Sequence, residues 1–352
     1  MRICIYGAGA MGTSLGVLLD EMSLDFVTHN AAHAAAMNRD GAIVEGAVTK
    51  CAKVRAKLPS QMQGTYDVII LAVKQRENRA ASLFLKPFLK EDGALVTVQN
   101  GLPEEGLAEV FGADRVYGCA LSWSAENIRP GVVRVTSETG FHLALGAYGN
   151  GSRIDDLAPF FAHAGTLTVG NLKEIRFAKL AVNASFSTLS AISGLTFHSL
   201  AKKYGALSLA LIREVLAVAK ASGCRQLPLN GHDLMKVFGG KFARLLLPVA
   251  MKNYKETRSG MLRDILSGKR CDVDFVAGAA VQAGRRCGVP TPILERAVSL
   301  VHDVENGIAE IAPETLRLLT EEMLEERYMD FEKLAERLIP GEYPSLESFE
   351  KQ

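Results

Sequence analysis

The chain opens with Met1-Arg-Ile-Cys-Ile-Tyr-Gly-Ala-Gly-Ala-Met-Gly12, and no other stretch constrains the fold as strongly. A short apolar strand, Ile3 to Tyr6, runs into Gly7-x-Gly9-x-x-Gly12, and an apolar helical stretch through Leu15, Val17, Leu18 and Leu19 follows. Strand, glycine turn and helix in that order suit a dinucleotide pyrophosphate. Gly7 permits the tight turn, Gly9 lets the backbone approach the phosphates, and Gly12 lets the helix pack close to the strand. The helix N-terminus attracts the anion. Gly7, Ala8, Gly9, Ala10, Met11 and Gly12 are therefore the expected cofactor-binding stretch. The alternative is a glycine-rich packing turn in an unrelated α/β protein.

Downstream, Phe26–His29, Asp67–Val73, Ala94–Gln99 and Val116–Ser122 read as strands, with helical stretches between several of them. Asp67-Val-Ile-Ile-Leu-Ala-Val73 is apolar nearly throughout, as in a parallel strand covered on both faces. Val132–Thr136 and Phe141–Leu145 suggest added strands. The texture changes near Asn171. From Glu174 onward helical periodicity dominates, and Leu207–Ala221, Leu234–Lys252, Asp274–Cys287 and Ile293–Glu305 read as helices separated by glycine or proline. Pro313–Leu338 reads as one or two charged amphipathic helices before a loose tail. The expected architecture is an α/β Rossmann-type N-terminal domain over residues 1–171, then an all-helical C-terminal domain over 172–352. The active site is expected in the cleft between them.

Composition excludes several function classes. The 352 residues include 40 Lys and Arg against 39 Asp and Glu, a net charge of +1. No basic excess points to nucleic acid or to an acidic membrane surface. No apolar run reaches about 18 residues, so no membrane helix is expected. The N-terminus enters a strand directly, leaving no room for a signal peptide. Cysteines at 4, 51, 119, 224, 271 and 287 lie far apart, as reduced thiols of a cytoplasmic protein do. His29 and His33 are four residues apart, but no HExxH motif or carboxylate cluster supports them, and no metal is expected.

The second strand bears on the choice of cofactor. NAD sites place Asp or Glu at its end, where the carboxylate binds the ribose hydroxyls. Here that place reads Thr28-His29-Asn30: no acid repels a 2′-phosphate and no arginine grips it. The next basic candidates are Arg39 and Lys74. Lys74 sits at the carboxyl end of the buried strand, where ligands bind in such sheets. The cofactor expected is NADP (NADPH).

In the second half Lys179, Asn183 and Ser187 are spaced i, i+4, i+8 among small and apolar residues. On a helix they lie near one face. A buried lysine is costly unless it is paired or functional, and its ammonium could protonate a developing alkoxide. A partly exposed helix face explains the spacing equally well.

The chain resembles the 2-dehydropantoate 2-reductase (ketopantoate reductase) family over roughly residues 1 to 300. The resemblance rests on the glycine motif, Ala72-Val-Lys74, Val98-Gln-Asn-Gly101, Lys179-Leu-x-x-Asn183, and Met261-Leu-x-Asp-Ile265 followed by Cys271-Asp-Val-Asp-Phe275. It implies that Lys179 is the general acid for ketone reduction and that Asn183 helps bind substrate. It places Asn100 near both nicotinamide and substrate, and Lys74 at the adenosine end of NADP. It also implies that Asp272 helps hold the polar end of the substrate or the lysine.

Departures concentrate in the substrate pocket. Asp272 stands where the family typically has glutamate, and Gly260 where a serine is expected, with Ser259 one position earlier. Ser187 falls at a family asparagine, a third such asparagine falls near Phe197, and Asn30 replaces the arginine often found after the second strand. The expected function is NADPH-dependent reduction of a small 2-oxo acid, 2-dehydropantoate first. The alternatives are another 2-oxo acid or ketone, or a catalytically silent NADP-binding sensor. The partner expected is the small 2-oxo acid, with no nucleic acid and no membrane; assembly stays open, a homodimer being one option.

Overall fold

The computed structural model describes residues 1–19, 24–136, 140–229, 231–240 and 242–321. Residues beyond 321, where most of the C-terminal amphipathic stretch and the tail were expected, lie outside the described residues. The chain divides into two compact units. One comprises Met1–Gln99 and Pro103–Leu172; the other comprises Asn100–Leu102 and the chain from Lys173 onward.

The first unit begins with β1 (Ile3–Tyr6), α1 (Ala10–Leu19), β2 (Leu24–Val27) and α2 (Ala31–Asp40). Three short strands follow, β3 (Ala42–Gly46), β4 (Lys50–Ala52) and β5 (Arg55–Lys57), and then β6 (Tyr66–Leu71), α3 (Asn78–Leu85), β7 (Leu89–Thr97), α4 (Glu104–Phe111) and β8 (Val116–Leu121). The unit closes with β9 (Ala125–Arg129), β10 (Val132–Val135), β11 (His142–Ala147), α5 (Ile154–Ala162) and β12 (Thr166–Val169). The main sheet runs β12-β11-β8-β7-β6-β1-β2-β5, parallel except where β11 meets β8. A second sheet runs β4-β3-β10-β9.

Side chains alternate across a strand, so a sheet covered on both faces must be apolar at every position. β1 does this: Ile3 and Ile5 join the cluster with Leu15, Leu19, Phe26 and Phe161, while Cys4 and Tyr6 join the one with Leu85, Leu107 and Phe111. The charged exception on the described strands is Asp25, which is almost fully buried. It accepts hydrogen bonds from Lys57 Nζ at 2.7 Å and the Tyr66 hydroxyl at 2.8 Å. Burial pushes its carboxyl up, but the Lys57 and Tyr66 hydrogen bonds outweigh that and hold it below the usual range.

The second unit is mostly helical. α6 (Leu172–Val182) continues through a π-helical segment, Asn183–Ser187, into α7 (Thr188–Ser193). α8 (Phe197–Lys203), α9 (Gly205–Ala221), α10 (Leu234–Gly239) and α11 (Ala243–Ala250) follow, then α12 (Gly260–Leu266), α13 (Ala277–Cys287), α14 (Pro292–Glu305) and α15 (Arg317–Glu321). Two details correct the sequence reading. The unit is not wholly helical, because Pro228–Leu229 and His232–Asp233 pair as a small hairpin. The single helix expected over 234–252 is two, since Gly239 and Gly240 interrupt it and glycine is a poor helix former. Among the described residues no single helix is long and apolar enough to cross a membrane.

α9 is buried from Gly205 to Ala219, including two charged residues. Arg213 donates to the Phe238 carbonyl at 3.2 Å. The Glu214 carboxyl accepts the first N–H groups of α14, from Ile293 at 2.9 Å and Leu294 at 2.8 Å. Glu214 thus caps a neighbouring helix, satisfying donors that have no partner within α14. Burial pushes its pKa up, against the pull of those two N–H groups. Glu214→Ala strands both donors and should cost about 3 kcal/mol, read as a lowered midpoint in urea unfolding. Glu214→Gln keeps one of the two acceptors and should cost less than Glu214→Ala; equal losses would remove the capping role.

Candidate active site

In the first unit the glycine turn is built by exclusion. Gly7 has φ +99°, and a Cβ there would sit 2.6 Å from the Val73 backbone nitrogen. The turn therefore lies directly on the chain leaving β6. A Cβ on Gly12 would collide with the Gly7 carbonyl oxygen and crowd Ile5 of β1, so helix and strand meet only because it is absent. Gly16, which the sequence reading did not single out, repeats this one helical turn later against the Phe26 ring. Gly9 differs: no atom lies within 4 Å of its would-be Cβ. Gly9 immediately precedes α1, whose first-turn N–H groups lack intrahelical acceptors. This is a cradle that a phosphate fits, and a side chain at Gly9 would fill it.

The other cofactor candidates flank this turn. Lys74, exposed, follows Val73 at the carboxyl end of β6. Asn30 lies beyond β2 and is the N-cap of α2, its Oδ1 accepting the His33 N–H at 3.0 Å. Asn30 and Gly9 line one cavity of about 200 Å³, shared with Thr28, His33 and Arg129. Arg39, the other basic candidate, spends its guanidinium on Asp40 at 2.7 Å. His29 and His33 diverge. His29 is exposed and sits edge-on to Tyr6, whereas buried His33 accepts the Gly131 N–H at Nδ1, 2.9 Å away.

In the second unit Lys179 lies on α6, and Asn183 and Ser187 are the first and last residues of the π segment. In an α-helix of 3.6 residues per turn each four-residue step overshoots by about 40°, so the three would fan across about 80°. The π turn is wider, so four residues fall short of a full turn and Ser187 swings back toward the line of Lys179. The spacing signal located the row of polar residues but not the π turn that straightens it. Asn100 lies just after β7 and is grouped with this second unit.

α12 and α13 pack on the π segment, and the loop joining them carries Asp272. Two anchors from α14 fix that loop on either side of Asp272. Glu305 accepts the Cys271 N–H at 2.6 Å, and His302 Nε2 meets Asp274 Oδ1 at 2.9 Å. His302 Nδ1 meets Glu305 at 3.0 Å, which joins the two anchors. Ser259 is unavailable as a substitute for the serine missing at Gly260. It is buried, and its Oγ accepts the Leu262 N–H at 3.0 Å as the N-cap of α12. Phe197 is also buried, with its ring 5.6 Å from Phe186 of the π segment and 6.2 Å from Tyr254.

The sequence descriptions of known families agree with this layout. "Ketopantoate reductase PanE/ApbA" matches residues 3–149, and "Ketopantoate reductase PanE/ApbA C terminal" matches residues 171–305. The chain belongs to the ketopantoate reductase PanE/ApbA family, a family of NAD(P)-dependent 2-oxo acid reductases. It is 27% identical to the 2-dehydropantoate 2-reductase of Mesorhizobium japonicum, across 87% of this chain and 99% of that one. The PanE/ApbA family ketopantoate reductase of Ralstonia eutropha is 27% identical, with a TM-score of 0.72 over 87% of this chain and 99% of that one. A D-mandelate dehydrogenase in complex with NADH and anilino(oxo)acetate has a TM-score of 0.75 at 20% identity, over 88% of this chain and 99% of that one; this likeness is one of fold.

The His302 clamp has a pH signature. Burial lowers its pKa, but hydrogen bonds to Glu305 and Asp274 outweigh that and raise it above the ordinary value. A raised folded-state pKa stabilises fully below the unfolded value of about 6.5, and that stabilisation is lost as pH rises through the folded value. The melting-temperature gap between wild type and His302→Gln should therefore shrink as pH rises from about 6 to about 9. A gap that widens over that range would contradict the clamp.

Proposed function

We propose that this chain is an NADPH-dependent reductase of a small 2-oxo acid, with 2-dehydropantoate as the first candidate. The observation that carries the reading is the polar row Lys179, Asn183 and Ser187, drawn toward one line by the π turn that follows α6. Cofactor residues are Gly7, Ala8, Gly9, Ala10, Met11 and Gly12, with Asn30, Lys74 and Asn100. The dinucleotide bound there supplies the hydride that the ketone carbon receives. Lys179 donates a proton from its ammonium to the alkoxide oxygen as it forms, so the carbonyl is reduced to an alcohol with charge balanced. Asn100, Asn183 and Ser187 orient the substrate through hydrogen bonds. Asp272, held by the α14 anchors, positions the polar end of the substrate or the Lys179 ammonium.

A second reading has its own support. Phe197 stands where the family resemblance implies a polar residue, and it stacks with Phe186 and Tyr254. A site that hydrogen-bonds a hydroxylated tail discriminates strongly against substrates lacking it, and an aromatic wall does not supply that discrimination. Asp272 is also one methylene shorter than glutamate. These changes favour a 2-oxo acid with a bulkier, less hydroxylated tail. Initial rates of NADPH oxidation against 2-dehydropantoate and a panel of aliphatic and aryl 2-oxo acids decide between the two. The kcat/KM order names the substrate, and no turnover with any member would leave the silent NADP-binding sensor. Against the best substrate, Lys179→Ala should cut kcat by about 10²–10⁴-fold with cofactor affinity nearly unchanged. Near-normal turnover in the folded variant would remove Lys179 as the acid.

A further inference from the structure

NADP and NAD differ by one phosphate on the adenosine ribose. In sheets of this kind that ribose meets the end of the second strand, where an acid reads the 2′-hydroxyl or a nearby arginine accepts the 2′-phosphate. The end of β2 supplies neither. Thr28 is buried, and Asn30 has its side-chain oxygen committed to capping α2. The cavity that opens there nevertheless holds a cation from elsewhere in the chain. It is lined by Gly9, Thr28, Asn30 and His33 on one side and by Arg129, the last residue of β9, on the other. Among the described residues no carboxylate lines it, and Arg129 is the only residue with a fixed charge that does.

Arg129 is exposed, and among the described residues its side chain makes no hydrogen bond or ion pair. The carboxylate whose charge it feels, Asp40, is already paired with Arg39. The turn that carries Arg129 is fixed to the cofactor loop. Gly131, with φ +80°, donates its N–H to His33 Nδ1 at 2.9 Å, and its carbonyl accepts the Ile43 N–H at 2.9 Å. Because Nδ1 accepts, Nε2 of neutral His33 carries the hydrogen and donates to Thr13 Oγ1 at 3.2 Å. Thr13 in turn donates to the Ala8 carbonyl at 3.2 Å. A chain of hydrogen bonds thus runs from the β9–β10 turn to the glycine loop, and it fixes the backbone next to Arg129 relative to the place the pyrophosphate would take.

We infer that Arg129, reaching over the end of β2 from the β9–β10 turn, binds the 2′-phosphate of NADP and is the residue that sets the preference for it. The inference rests on the dinucleotide reading of the glycine loop. A guanidinium presents several N–H donors in a planar fork that matches a phosphate, and it stays charged at every working pH. Lys74, which follows the end of β6, can add charge, but it is not among the residues lining this cavity.

The test is calorimetric titration of the full chain with NADPH, NADH and 2′-AMP, for wild type, Arg129→Ala and Arg129→Lys. The Arg129 side chain is exposed and makes no internal bond, so both variants should fold, as circular dichroism would check. Arg129→Ala should weaken NADPH and 2′-AMP by about 10- to 100-fold, the range of a charge-assisted hydrogen bond. NADH affinity should change less than about twofold, and Arg129→Lys should recover part of the loss, because ammonium keeps the charge but not the fork. The wild-type preference should also fall with added salt. Unchanged NADPH affinity in Arg129→Ala, or equal losses of NADPH and NADH, overturns the inference while leaving the glycine loop as the cofactor site. Failure of wild type to bind either dinucleotide overturns the reading beneath it.

Discussion

The first unit depends on the contact between Gly7 and the backbone of Val73. With φ +99° and no room for a Cβ, the turn after β1 presses onto the chain leaving β6, so two neighbouring parallel strands end at the same place. From that one contact follow the start of α1, the exposed cradle at Gly9 and the position of Lys74. Gly12 and Gly16 extend the same device along α1, each replacing a side chain with direct backbone or ring contact. Substitution at Gly7 would demand a strained backbone and a displaced β6 end together, whereas Gly9 has space that the fold leaves unfilled.

The second unit uses a different device. Its polar row is laid along a helix by sequence spacing and drawn toward a line by a π turn, a feature common at functional positions in helices. Around that turn lie two contrasting supports: an aromatic group of Phe186, Phe197 and Tyr254, and a charged clamp of His302, Glu305 and Asp274 that holds the Asp272 loop. The first is apolar and, in the proposed reading, bears on the shape of the substrate tail. The second is polar and responds to pH, and it bears on where a carboxylate is held.

What the sequence made legible, and what it hid, follows from signal length. β1, β6 and β8 are continuous apolar runs, and the glycine spacing marks the turn, so the parallel sheet could be read directly. β3, β4, β5 and β9 could not: they are short and carry Glu45, Lys50, Arg55 or Arg129 on their open sides, so no alternation stands out. Gly239-Gly240 was readable as a break, yet the apolar periodicity on both sides masked it. The polar row came from i, i+4 spacing, but nothing in composition announces a π turn. Arg129 was hidden for another reason. The sequence reading weighed Arg39 and Lys74 as phosphate-binding cations, and the proposed one comes later in the chain, at the end of β9, brought back by the pairing of β10 with β3.

The central claim is that the glycine loop and Lys179 serve one reaction, hydride to a ketone carbon and a proton to its oxygen. The most direct measurement follows the hydrogen itself. NADPH carrying deuterium at the reactive nicotinamide carbon is incubated with the preferred 2-oxo acid, and the 2-hydroxy acid product is weighed by mass spectrometry. The account predicts one deuterium on the alcohol carbon from one of the two labelled faces of the nicotinamide, and none from solvent deuterium at that carbon. Reduced product without the label, or label at that carbon from solvent, would contradict it.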